Sequence, residues 1–198
     1  MAEWKSRNYD GEEIKFPSQP FTLTCSPETD LWDKPPSVHS DNAPSLLQRT
    51  TKDDFISAKV TVTADWAQKY DQGGLVLLIS PESNNVTQWV KTGIEFLNGQ
   101  PQVSTVATNT WSDWSLRPMA KSDSKSATIE IESNEDGSLW AYLLDDGGNK
   151  SPMREVTWWG DLDKSTQISV GVYAAKPDKD PRKLVVSFEG LEVSTRTD

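Results

Sequence analysis

Short alternations of apolar and polar residues organise this chain, and helical stripes are nearly absent. Phe21–Cys25 alternates, and the segment from Phe55 to Thr63 does so from Ala58 onward, with Val60 and Val62 on one face. Gly74 to Ser80 (GLVLLIS) is apolar almost throughout, as a strand covered on both faces is. Gln88 to Phe96, Gln102 to Thr108, Ala127 to Glu132, Leu139 to Leu144, Ile168 to Ala174 and Leu184 to Val193 are further predicted strands. In Ala127–Glu132, Ile129 and Ile131 alternate with Glu130 and Glu132, which predicts one wet face. Asn98-Gly99 and Asp136-Gly137 fall between strand runs and predict tight hairpins. Lys176 to Arg182 (KPDKDPR) reads as an exposed loop, and Trp32 to Pro44 as a long loop whose length suggests a function. About nine or ten strands cannot sit in one open sheet without leaving apolar faces bare. The expectation is an all-β fold, two antiparallel sheets in a jelly-roll β-sandwich, as a single domain over residues 1–198.

One of these strands carries the candidate chemistry. In TQWVKTGIEF, Val90, Ile94 and Phe96 fall on one parity, and Trp89, Lys91 and Glu95 on the other. Successive strand side chains point to opposite faces, so this segment feeds a core and also displays an indole, an ammonium and a carboxylate together. Lys91 and Glu95, four residues apart, lie roughly 13 Å apart along the strand, too far for a tight ion pair. Glu95 is expected to meet Asp71, Gln72 or Thr108 across the sheet. Two readings stand side by side: a buried polar network that locks the sheet, or the floor of a ligand site.

The flanking motifs divide in the same way. Asp71 in Tyr70-Asp71-Gln72 either bonds local backbone N–H groups in a turn, or sits with Gln72 at a rim where both reach sugar hydroxyls. Trp111-Ser112-Asp113-Trp114-Ser115 lies among turn formers, and is expected as a loop packed by its own indoles, with Trp114 open to a place at the lip of the site. Trp158-Trp159-Gly160 reads as apolar anchoring of an irregular segment.

Composition narrows the function classes. A net charge of −10 without clustered Lys or Arg argues against a nucleic-acid partner. No apolar run approaches the roughly 20 residues that cross a bilayer as a helix. The N-terminal MAEWKSRNYDGEEIKF lacks the apolar core of a secretory signal, so a cytoplasmic location is expected and the acceptor pattern Asn85-Val86-Thr87 is expected to stay bare. Cys25 stands alone, which excludes an intrachain disulfide and a thiolate metal cluster. Neither a cofactor nor a metal site is expected. His39, with Asp33 and Asp41 nearby, lies in a Pro- and Asp-rich stretch whose polar groups are expected to be solvated.

Four blocks then agree in order and spacing: Thr29-Asp30-Leu31-Trp32; Tyr70-Asp71-Gln72-Gly73-Gly74-Leu75; Trp89-Val90-Lys91-Thr92-Gly93-Ile94-Glu95; and Ser104-Thr105-Val106 with Ser112-Asp113-Trp114-Ser115. With the later runs Val170–Ala174 and Val186–Phe188, they resemble the family of uncharacterised concanavalin-A-like domains whose namesake is a regulation-of-enolase protein. The resemblance runs from about Phe21 to Val193. It departs at Gly73, where a small Ala is usual, and in the WAQK stretch before Tyr70. It implies a jelly roll, a cytoplasmic location and a regulatory tie to enolase, with no known ligand or reaction. The reading is therefore a non-enzymatic regulator of carbohydrate metabolism, with enolase as implied partner. Its site would comprise Trp89, Lys91, Glu95, Tyr70, Asp71, Gln72, Thr108, Asp113 and Trp114. Lys91 makes an anionic ligand, a sugar phosphate or uronic acid, a better fit than a neutral sugar. The alternative is a glycoside-acting enzyme using Glu95 with Asp71 or Asp113, disfavoured because an ammonium near Glu95 would hold it ionised.

Overall fold

The computed structural model describes residues 3–9, 11, 14, 19–80, 88–119, 121 and 123–196. The acceptor pattern Asn85-Val86-Thr87 lies outside the described residues. In chain order the strands are β1 (Trp4–Arg7), β2 (Phe21–Cys25), β3 (Leu31–Lys34), β4 (Val38–Asp41) and β5 (Ser45–Thr51). Next come β6 (Phe55–Ala64), β7 (Gln72–Ile79), β8 (Gln88–Leu97), β9 (Gln100–Asn109) and β10 (Trp111–Pro118). The last are β11 (Ser126–Ser133), β12 (Leu139–Leu144), β13 (Lys150–Val156), β14 (Gln167–Ala175) and β15 (Leu184–Thr195). A 3-10 turn, Thr157–Asp161, separates β13 from β14 and buries Trp159.

Two antiparallel sheets pack face to face as a jelly-roll sandwich. One runs β1-β5-β14-β7-β8-β9-β10 and the other β13-β12-β11-β6-β15-β2. Alternation decides which residues meet between them. Val60, Val62, Ile129 and Ile131 from the six-stranded sheet pack against Leu75, Leu77, Val90, Ile94, Val170 and Val172 from the seven-stranded one. The predicted strands all form, each within two residues of its expected ends. Asn98 and Gly99 turn between β8 and β9 with φ of 54° and 81°, the paired left-handed geometry that Asn-Gly favours.

Strands β1, β5 and β13 form where none was expected, and three further stretches depart from their expected form. The 32–44 segment is a β3–β4 hairpin, in register from Leu31↔Asp41 to Lys34↔Val38. It lies over the outer face of the seven-stranded sheet, where Leu31 and Ala43 join Leu47, Val76, Leu78, Trp89, Val106, Tyr173 and Ala175 in a second apolar cluster. Residues 111–115 are not a loop but belong to edge strand β10, paired with β9, and Trp111 is 60% exposed rather than packed. The loop after β14 begins with a buried residue, because the Lys176 ammonium turns inward to Asp71 at 3.4 Å.

Candidate functional site

The strand alternation that builds the core also builds a pocket on the other side of the seven-stranded sheet. On that outer face β8 presents Trp89, Lys91, Gly93 and Glu95, and β7 presents Gln72 and Gly74. Gly74 and Gly93 are paired partners, and a Cβ at Gly93 would come within 2.0 Å of the Gly73 carbonyl oxygen. The chain therefore runs bare between Lys91 and Glu95, and a side chain is excluded from the pocket floor. Gly73, the departure from the family pattern, faces Val186 on the other side of the sheet. The hairpin approach (Asp30, Trp32), the turn before β7 (Lys69, Tyr70), Trp114 of β10 and Pro177, Asp178 and Lys179 after β14 complete a cavity of about 670 Å³ over Gln72, Lys91 and Glu95.

Lys91 is a structural post. Its Nζ donates to Leu31 O at 2.7 Å and Gln72 Oε1 at 2.8 Å, with Asp30 Oδ1 at 3.4 Å. An ammonium has three N–H donors, so protein acceptors use all of them. The rings of Trp89, Tyr173 and Trp32 surround it at 5.4, 5.7 and 5.9 Å, favourable because aromatic faces carry negative charge. Lys91 thus ties the hairpin to β7. That removes the reason for expecting an anionic ligand.

Gln72 is used up as well. Its Oε1 also accepts from the Tyr173 hydroxyl at 3.3 Å, and its Nε2 donates to Tyr70 O and Asp30 Oδ1. Burial, with help from the Glu95 and Asp30 charges, pushes the Tyr173 phenol well above its ordinary range, so it stays a neutral donor.

Glu95 differs. Its Oε2 accepts from Ser104 Oγ at 2.8 Å, and Ser104 in turn accepts from Trp114 Nε1 at 3.0 Å. Its other oxygen has no hydrogen-bond partner among the described residues, although the residue is only 6% exposed and lines the cavity. Burial, with help from the Asp30 charge, raises the Glu95 carboxyl above its ordinary value, outweighing the Lys91 ammonium, the Ser104 hydroxyl and the Trp114 indole, which pull it down. Lys91 pulls the Glu95 carboxyl down as expected, but desolvation raises it by more.

Of the expected site residues, Tyr70, Gln72, Lys91, Glu95 and Trp114 line the cavity. Four do not. Trp89 is fully buried beneath it, donating from Nε1 to Asp33 Oδ2 at 2.9 Å. Thr108 is also sealed, bonded to Ser112. Asp71 takes its turn role, accepting from Ala67 N and Gln68 N and facing Lys176. These bonds brace the turn in which Tyr70 adopts a φ of 69°. Asp113 projects from the opposite face of β10 to Arg154 at 3.1 Å. Neither named partner of Glu95 in the glycoside-acting alternative thus reaches it. Asp33 is buried rather than solvated, pairs with His39 and anchors Trp89. No group of three or more His, Cys, Asp or Glu able to hold a metal occurs among the described residues.

Asp30, Trp32 and Ser104 were not singled out for the site, yet each lies within a block that carried the family resemblance. Asp178 and Lys179 had no signal beyond their loop.

The fold is shared with solved structures. One from Saccharomyces cerevisiae, described as functionally unknown, superposes with a TM-score of 0.76 at 22% identity, covering 98% of this chain and 96% of that one. An alginate lyase from Pseudomonas aeruginosa gives 0.59 at 11% identity over 96% and 88%. At such identities these show the concanavalin-A-like jelly roll alone. By sequence, an uncharacterized protein of Emericella nidulans is 46% identical over 180 residues, covering 91% of this chain and 88% of its own. Regulation of enolase protein 1 of Saccharomyces cerevisiae is 32% identical over 94 residues, 48% of this chain and 44% of that one. Among the described residues no helix is long and apolar enough to cross a membrane. Residues 11–196 match the family described as "Protein of unknown function (DUF1349)", and with the Emericella relative matched along most of its length, the chain belongs to that family.

Proposed function

We propose that this protein is a cytosolic regulator of carbohydrate metabolism that binds a saccharide-class ligand in the pocket over β7 and β8. The observation that carries this reading is the union of aromatic walls with a buried, half-free carboxylate. Trp32 and Tyr70 each meet Trp114 edge to face at 6.1 Å, with Glu95 lining the same cavity. Sugar rings need both: an aromatic surface for their C–H faces and a fixed planar acceptor for their hydroxyls. About 670 Å³ falls within the usual range for small-molecule sites, roughly 300–1,000 Å³. The name of the yeast relative supports enolase as the regulated partner.

Thermal denaturation with a panel of mono- and disaccharides tests the ligand. A binding sugar raises the melting temperature of wild type, and Trp114→Ala and Glu95→Gln each reduce that rise. A panel that leaves wild type unmoved, or a shift that survives both substitutions, removes the site. Purified enolase tests the partner: retention at micromolar concentration, altered by the bound sugar, is expected, and no retention with or without sugar rules out regulation by direct contact.

The raised Glu95 carboxyl is the one observation that favours a glycoside-acting enzyme, since a general acid needs such a shift. Asp30 and Asp178 are the other carboxylates at the pocket, and Asp30 already faces Lys91. Hydrolysis of aryl glycosides by wild type and its loss in Glu95→Gln would establish that reading in place of the binding one.

A further inference from the structure

The charge that the pocket prefers is set by which of its polar groups remain free. Pocket residues include three lysines, Lys69, Lys91 and Lys179, and three carboxylates, Asp30, Glu95 and Asp178, so counting alone decides nothing. Availability decides. Lys91, the deep cation, is 2% exposed, and its three donors are spent on Leu31 O, Gln72 Oε1 and Asp30 Oδ1. An incoming phosphate or carboxylate would have to break one of these bonds. Lys69 sits at the rim with its ammonium 4.7 Å from the Tyr70 ring centroid. The Lys179 side chain is 86% exposed and lies 3.7 Å from Glu28. Both are hydrated rim charges, which contribute little to affinity.

The free deep group is an acceptor. One Glu95 oxygen has no partner among the described residues on a side chain more than nine-tenths buried. Burial there makes a negative charge costly, the Lys91 ammonium offsets that cost only in part, and a ligand that brings a positive charge to the free oxygen offsets the rest. Asp30, with a side chain 25% exposed, adds a second negative group beside it. Trp32, Tyr70 and Trp114 line the same cavity, and an ammonium that meets the face of any of these rings is attracted to it, whereas an anion is not.

We propose that the pocket selects a protonated amine on a polyhydroxylated ring, an amino-sugar-class ligand with its ammonium on the free Glu95 oxygen, and discriminates against uronic acids and sugar phosphates. This rests on the saccharide reading above and names its ligand class.

Calorimetric titration at pH 6.5 tests it with matched probes: amino, neutral, uronate and 6-phosphate forms of the gluco, galacto and manno monosaccharides. In at least one series the amino form should bind about tenfold tighter than the neutral sugar, as a charge-assisted hydrogen bond provides. Both anionic forms should bind more weakly than the neutral one. Glu95→Gln should bring the amino and neutral forms within about threefold, while its melting temperature reports that the fold is intact. Equal binding of amino and neutral forms, tighter binding of an anionic form, or a preference that persists in Glu95→Gln overturns the charge selection and leaves saccharide binding standing. Failure of every probe to bind overturns both.

Discussion

Replacing Lys91 by Met keeps an apolar stem among Trp89, Tyr173 and Trp32 and deletes only the ammonium. Two short bonds disappear, to Leu31 O at 2.7 Å and Gln72 Oε1 at 2.8 Å, each a charged hydrogen bond worth about 1.5–3 kcal/mol. The Asp30 contact at 3.4 Å adds less, since that carboxylate is a quarter exposed and solvent screens it. The acceptors left behind are buried and nothing in the hairpin replaces the donor. The expected loss is about 3–5 kcal/mol, the range for removing one side of a buried ionic contact. That is a large part of the roughly 5–15 kcal/mol that holds a typical domain together. Urea unfolding at pH 7, followed by tryptophan fluorescence, reads it as a lower midpoint at unchanged slope. The substitution also takes away the charge that pulls the Glu95 carboxyl down, so Lys91→Met/Glu95→Gln should be less destabilised than Lys91→Met alone. A loss below about 1 kcal/mol, the size of an exposed pair, would refute the reasoning and return Lys91 to the role of a free cation waiting for a ligand.

Three further outcomes follow from the same geometry. Glu95 is raised above its ordinary value of 4.5 by burial, so the folded state holds this proton more tightly than the unfolded chain does. Well below pH 4.5 the group is neutral in both states and carries no penalty. As pH rises the unfolded chain ionises first, and the penalty grows until the folded carboxyl also ionises. Glu95→Gln should therefore be more stable than wild type at pH 7, with the difference shrinking toward pH 4; a difference that grows toward acid would contradict this. The buried Cys25 thiol, pushed up to about 12 mainly by burial, should resist thiol reagents at pH 8 in the folded protein and react once the chain is unfolded in urea, whereas rapid labelling of native protein would count against its burial. Gly93→Ala should destabilise by about 2 kcal/mol or more, since its Cβ would meet the Gly73 carbonyl at 2.0 Å and the paired strands must part; an unchanged melting temperature would mean that the glycine pair is dispensable.

Much of the fold was legible because a half-buried strand writes its burial into alternate positions. Gln88–Phe96 is the clearest case, with Val90 and Ile94 entering the core while Trp89, Lys91 and Glu95 share the other face. Edge strands lack that signature. β13 carries Pro152 beside a register shift against β12, and a proline argues against a strand unless it lies on an edge. β10 (WSDWSLRP) mixes indoles with turn formers, and the β3–β4 hairpin is four polar-rich residues on each side of a proline pair. The site was half legible for a related reason. Parity assigns a face but gives no depth, so it grouped Trp89 and Thr108, both sealed, with Glu95, which reaches the cavity. Nor can parity reveal partners. Lys91 reads as a cation on offer until Leu31 O and Gln72 Oε1 are seen to hold it, and Asp71 reads as a rim carboxylate until Lys176 is found against it.

The most direct measurement is the indole N–H region of a nuclear magnetic resonance titration with a saccharide that stabilises the protein. Trp114 Nε1 donates to the same Ser104 hydroxyl that holds Glu95, so a ligand on Glu95 must disturb it. The Trp114 and Trp32 signals should move together along one binding curve, while Trp140 on β12 of the six-stranded sheet and Trp159 in the core stay in place. Saturation by that sugar with Trp114 unmoved would place the ligand elsewhere and contradict the account.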